Sequence, residues 1–211
     1  MMNKLKNNYF KLFDRPFEKK LRNKLEVHDF SLFTSNCMAG VIYHRLGLQF
    51  QSPTINCFMK DSDYLTFILN LDHYLKLEIM PYKSSENCPA GIIGDIPINF
   101  VHYKTFEEGV SAWEKRKKRI NYSALYFVLF DTVDGEISEK DIVEFGNIKC
   151  ANKIVLSKNY YPQYDYVLTI PLKEGDRNKH YMNRNCIGRR RFEPAFDYVQ
   201  WINDGKRTSE C

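Results

Sequence analysis

The sequence predicts an α/β fold: a mixed, partly parallel sheet flanked by helices on both faces, three layers deep. Two runs, Ala124 to Phe130 and Lys153 to Ser157, read as strands buried on both faces, the first of them continuously apolar. Stretches with helical spacing alternate with the strand-like runs, which argues for crossover connections and parallel pairing. A chain of 211 residues is long enough for one full domain, with room for a small annex.

Taken in order, residues 3 to 25 read as a helix broken near Pro16, whose ring and missing N–H disfavour a helix interior. Residues 1–28 are expected to form a basic helical extension, and 29–211 a single α/β domain. A strand at 30 to 34 leads into a helix at about 38 to 46, which Gly47 ends as a C′ glycine. Asp61-Ser62-Asp63 offers caps for a helix whose apolar stripe runs from Tyr64 to Leu75. Between 76 and 104 lie extended pieces with turns at Pro81, Pro89-Ala90-Gly91 and Gly94-Asp95. Alternation of Ile96, Ile98 and Phe100 marks one of them as a strand. Thr105-Phe106-Glu107-Glu108 is a capping box that opens a helix carrying Trp113. Ser138 to Phe145 reads as a short capped helix, Tyr166 to Leu172 as a late strand, and Ala195 to Asn203 as a closing helix.

With 44% hydrophobic and 27% charged residues the chain is an ordinary globular protein. Its formal charge of +5 gathers in the N-terminal tail, in Lys115 to Arg119 and in Arg189 to Arg191. Such runs suit anionic partners, but no nucleic-acid module accompanies them, so sequence-specific nucleic-acid binding is not expected. Six scattered cysteines with no C-x-x-C pair read as reduced thiols of a cytoplasmic protein, and no metal-ligand spacing is present. The tail could rest on the inner face of a membrane, with Leu5, Tyr9, Phe10, Leu12 and Phe13 interrupting its lysines.

The most informative stretch is Phe30 to Asn56. Cys37 falls where a strand hands over to a helix, among unpaired N–H groups and a favourable dipole that would stabilise a thiolate. The same position also suits a small buried thiol beside a Ser35 or Asn36 cap. His102, at the end of a strand, is the best base for a Cys37 nucleophile, and Asp95 in its Gly-Asp turn is the candidate orienter. Ser35, Asn36, Asn56 and Tyr103 are the polar groups expected at the substrate. Arg116, Arg119 and Asn121 stand at a helix–strand junction where arginine forks could hold an anionic donor, or simply complement a helix end.

Six stretches carry a family resemblance: Ser35-Asn36-Cys37, Tyr43 to Leu48, Ser52 to Asn56, Gly94-Asp95-Ile96, Phe100 to Tyr103, and Trp113 through Asn121. Together, over about residues 30 to 160, they resemble a bacterial family catalogued as domain of unknown function 1919, whose members are often labelled exopolysaccharide or capsule biosynthesis proteins. After the cysteine the family has a bulky aromatic and a second glycine, where this chain has Met38-Ala39-Gly40. The layout is also similar to a sister group described as papain-like cysteine peptidases. The resemblance implies a cytosolic transferase acting on a sugar or glycan precursor, with acyl transfer the leading chemistry and an activated acyl or sugar donor as co-substrate. No residue pattern identifies a coenzyme. A cysteine hydrolase using the same Cys37 and His102, or a glycan-binding protein whose 14 tyrosines supply stacking platforms, are the alternatives.

Overall fold

A computed structural model describes residues 2–132, 136–149, 151–170, 182, 184 and 188–205, with side chains from residue 13 onward. The sequence elements all appear, in the order α1 (Met2–Lys24), β1 (Ser31–Thr34), α2 (Met38–Leu46), α3 (Asp61–Leu69), α4 (Leu71–Tyr74), β2 (Ile79–Tyr82), β3 (Ala90–Ile93), β4 (Ile96–Asn99), α5 (Phe106–Lys117), β5 (Leu125–Asp131), α6 (Glu139–Gly146), β6 (Asn152–Ser157), β7 (Val167–Thr169) and α7 (Tyr198–Asn203).

The fold is α/β, and its parallel and antiparallel pairings belong to two sheets. The larger sheet has the order β1-β5-β6-β7 with every described pairing parallel, while β2-β3-β4 is an antiparallel sheet of its own. Because side chains alternate across a strand, the parallel sheet feeds two separate cores. Leu32, Tyr126, Val128, Phe130 and Leu156 pack with α1, α2 and α7. Phe33, Phe127, Leu129 and Val155 face the other way, onto α3, Trp113 of α5, α6 and the small sheet. Burial on both faces explains the unbroken apolar run of β5. Each fully buried ring, such as Phe30, Phe33, Phe127 or Trp113, contributes about 1.5–3 kcal/mol of transfer free energy.

Local signals behave as their chemistry requires. Gly47 ends α2 with φ 71°, a left-handed conformation that its missing Cβ permits, and its N–H meets His44 O. Thr105 Oγ1 accepts from Glu108 N at 3.2 Å, and Glu108 Oε2 accepts from Lys104 N at 3.0 Å. Ser138 and Asp141 form a second reciprocal cap on α6.

Three expectations change. Helix α1 runs through Pro16 without a break. Phe17, Leu21 and Leu25 are packed on the first core, and Asp14 and Glu18 reach Arg45 of α2, so tertiary contacts on both sides of the proline hold the helix. The segment read as an extension is thus docked on the domain from about Asp14 onward. The stripe from Tyr64 to Leu75 is two helices parted at Asn70. Asp61 caps nothing: Lys60 stands at the N-cap and the Asp61 side chain turns elsewhere. The apolar residues before Phe13, and Cys150, Cys186, Cys211 and Leu172, lie outside the described side chains.

Candidate functional site

In an open parallel sheet the strand ends and following turns gather along one edge, where ligands bind. Strand β1 delivers Thr34, Ser35, Asn36 and Cys37 to that edge, and β5 delivers Asp131 and Thr132. The turn into α2 is tied down by its own polar side chains. Asn36 Oδ1 accepts from Met38 N at 2.9 Å, and Thr34 Oγ1 accepts from Ala39 N at 3.3 Å while donating to Asn36 O at 2.6 Å. Two of the free N–H groups of the helix start are thereby used. Those of Cys37 and Gly40 have no hydrogen-bond partner among the described residues.

His102 reaches this turn through a ladder of backbone bonds. Met59 N donates to Ser35 O at 2.8 Å, and Phe58 exchanges two bonds with Asn99 at the end of β4. The turn after Phe100 then swings His102 back over α2, where Nε2 lies 3.2 Å from Cys37 Sγ. The two residues are 65 apart in sequence. With the ring proton on Nδ1, the thiol donates to Nε2. Burial pushes the Cys37 thiol up from its ordinary value, and the charge of Arg190 offsets only part of this. Burial thus works against the thiolate that the helix terminus favours.

Cys37 and His102 open onto a cavity of about 810 Å³. Asn36 and Asn56 line it. Asn56 holds φ 64°, the left-handed region that asparagine tolerates better than most residues and that collects at functional sites. Its Oδ1 would lie 3.1 Å from a Cβ built on Gly40, so the absence of a side chain at 40 lets Asn56 sit directly over the start of α2.

The remaining candidates are not among the residues lining the cavity. Asp95, in the β3–β4 turn, accepts a 2.7 Å bond from the Tyr74 hydroxyl, and no bond joins it to His102 among the described residues. Arg116 donates to Ile55 O at 2.6 Å beneath the rings of Phe50 and Tyr103, and Arg119 donates to Phe50 O at 3.2 Å. Asn121 binds Asp29 O and, through its N–H, Ser31 Oγ. All three fasten the 50–56 loop or β1, which makes them scaffold for Asn56 and Cys37. Ser35 is buried, its hydroxyl donating to Asp61 Oδ1 at 2.5 Å.

Asp61 and Arg190 line the cavity, and sequence reasoning missed both. Burial pushes the Asp61 carboxyl up to about 7; the Ser35 bond opposes it, and the charges of Glu136 and Asp131 add to the rise. Its sequence signal, Asp-Ser-Asp ahead of a helix, is the same as that of an ordinary cap. Among the described residues no group of three His, Cys, Asp or Glu could hold a metal, and no helix is long and apolar enough to cross a membrane.

An uncharacterized protein of Haemophilus influenzae (strain ATCC 51907 / DSM 11121 / KW20 / Rd) is 27% identical to this chain over 192 residues, spanning 87% of this chain and 88% of that protein. The family model described as domain of unknown function DUF1919 matches residues 8–203, from within α1 to the end of α7, and the chain belongs to that family.

Proposed function

We propose that the protein is a thiol-dependent acyl-transfer enzyme in which Cys37 is the nucleophile and His102 the base. The observation that carries this reading is the 3.2 Å contact between Cys37 Sγ and His102 Nε2 on the wall of a substrate-sized cavity. As Sγ attacks an acyl carbonyl, Nε2 takes the thiol proton, which removes the need for a resting thiolate. The N–H groups of Cys37 and Gly40 at the start of α2 are the donors for the carbonyl oxygen as it becomes an oxyanion. Collapse of the adduct passes the proton from His102 to the leaving group and leaves a thioester on Cys37. An acceptor hydroxyl then attacks the thioester, loses its proton to His102, and the returning thiol takes that proton back.

A sugar or glycan precursor of surface polysaccharide is the acceptor we assign. The family resemblance supports it, as does a lining that sets the amides of Asn36 and Asn56 and the hydroxyl of Thr132 beside the rings of Phe50 and Phe58. Water in place of that hydroxyl would give the hydrolase outcome with the same residues. The test is incubation with p-nitrophenyl acetate followed by intact-mass measurement. An acetyl adduct on Cys37 that decays faster when a sugar acceptor is added is expected. Adduct formation that survives in both Cys37→Ala and His102→Ala would overturn the assignment.

A further inference from the structure

We infer that the cavity contains an anion-binding subsite beside Cys37, formed by Arg190, that takes a phosphate or carboxylate group of the acyl donor. The inference deepens the acyl-transfer reading and rests on it for the role of Cys37.

The argument begins with two arginines at the same end of the cavity. Arg45, on α2, is buried and fully matched. Its Nε meets Glu193 at 3.1 Å, its Nη1 meets Asp14 and Glu18, and its Nη2 donates to Gly188 O at 3.0 Å. A buried cation with this many acceptors is a structural tie.

Arg190 has none of that company. Its Nη1 donates to the carbonyl of Met182, and its Nε is buried without a hydrogen-bond partner. No ion pair reaches its guanidinium among the described residues. Glu193 Oε2 accepts from its backbone N–H instead, at 2.6 Å. The nearby carboxylates are already engaged: Asp14 with Arg45 and Arg184, Glu18 with Arg45 and Arg22, Glu193 with Arg45.

An unmatched, half-buried guanidinium is costly, and it is retained where a ligand completes it. Its surroundings agree in direction: burial and the charges of Arg184 and Arg45 work against the Arg190 cation more than Glu193 and Asp14 help it. Arg190 also lies near enough to Cys37 for its charge to act on the thiol. Its planar guanidinium, on the cavity wall, suits a phosphate or carboxylate. The donor anion expected from the sequence thus has a place, contributed by the C-terminal segment and not by Arg116 or Arg119.

Two alkylating agents differing in charge test this on the intact protein: iodoacetate, which carries a carboxylate, and iodoacetamide, which does not. Rates at Cys37 are read by mass spectrometry. The iodoacetate-to-iodoacetamide ratio should fall about tenfold in Arg190→Gln and recover in part in Arg190→Lys, as loss of a close charged pair in a partly desolvated site predicts. Inorganic phosphate should slow wild-type alkylation by iodoacetate, and acetate should do so if the subsite accepts carboxylates; protection by one alone names the group. An unchanged ratio in Arg190→Gln with no protection by either anion overturns the subsite, while rapid iodoacetamide labelling leaves the nucleophile standing. If Cys37 reacts with neither reagent the nucleophile reading falls, and calorimetric titration with phosphate then decides the subsite. Binding lost in Arg190→Gln supports it; absent binding, or equal binding in the two proteins, overturns it.

Discussion

The turn at the start of α2 and the junction at the end of α5 contain the same kinds of residue and do opposite work. At the α5 junction Arg116, Arg119 and Asn121 spend their donors on backbone carbonyls of Ile55, Phe50 and Asp29. At the α2 turn Asn36 and Thr34 satisfy two N–H groups, and those of Cys37 and Gly40 remain available beside the cavity, next to a thiol and an imidazole. Polar capacity left unspent against a cavity marks a site; the same capacity turned inward marks scaffold. Residue type alone does not separate them.

The largest expected effect lies in the α2 turn. Replacing His102 with Ala leaves a thiol raised by burial and without a base, so iodoacetamide labelling of Cys37 at neutral pH should slow by about 10²-fold or more. In the wild type the labelling rate should keep climbing above the ordinary thiol range near pH 8.5, because burial holds the thiol protonated there. A plateau reached below neutrality would show a thiolate–imidazolium ion pair instead.

Asp61 joins the two kinds of region, since it lines the cavity and also anchors Ser35, two residues before Cys37. Its carboxyl is pushed up to about 7, so between about pH 4 and 7 the folded protein holds a proton that the unfolded chain releases. The contribution to stability is complete below about pH 4 and is lost as pH rises through 7. The unfolding free energy of the wild type, read from urea titrations, should therefore fall across that window by an amount on the order of a few kcal/mol, and Asp61→Asn should flatten the curve. A wild-type curve already flat from pH 4 to 7 would remove Asp61 from the set of titrating groups.

Arg116→Met tests the scaffold. It leaves Ile55 O without its donor and takes the cation from the faces of Phe50 and Tyr103, a loss of about 1–3 kcal/mol in urea unfolding. Labelling of Cys37 should change only severalfold, through looser placement of Asn56. A labelling defect as deep as that of His102→Ala, with unchanged stability, would return Arg116 to the substrate.

What could be read from the chain beforehand follows the same division. The β1–turn–α2 unit, the Thr105 and Ser138 caps and the buried β5 run rest on contacts within a few residues, which spacing and residue type reveal. The pairing of Cys37 with His102 was legible because each stands just after a strand, β1 in one sheet and β4 in the other. The jobs of Arg116 and Arg119 were not, since their partners are carbonyls and carbonyls leave no trace in residue identity. Neither was the passage of α1 through Pro16, where Asp14 is held by Arg45, 31 residues away in the chain. Arg190 was visible only as one member of a basic run; the unpartnered state of its Nε exists only in three dimensions.

Asp95 gives the smallest expected effect and the sharpest contrast with Asp61. Proximity in sequence favours it as the orienter of His102, seven residues later, yet the β3–β4 turn aims it at Tyr74. Burial, joined by the Asp95 bond and charge, pushes the Tyr74 hydroxyl up to about 12. Asp95→Ala should lower the Tyr74 titration midpoint, followed by ultraviolet absorbance, and reduce stability by about 1 kcal/mol, the worth of one part-buried hydrogen bond. Iodoacetamide labelling of Cys37 should stay within about twofold of wild type, because no bond or shared partner connects the two sites and distant sites act independently. If labelling instead fell as far as in His102→Ala, the loop holding His102 would have to bring Asp95 under the imidazole during the reaction, and the third member of the catalytic set would be Asp95 after all.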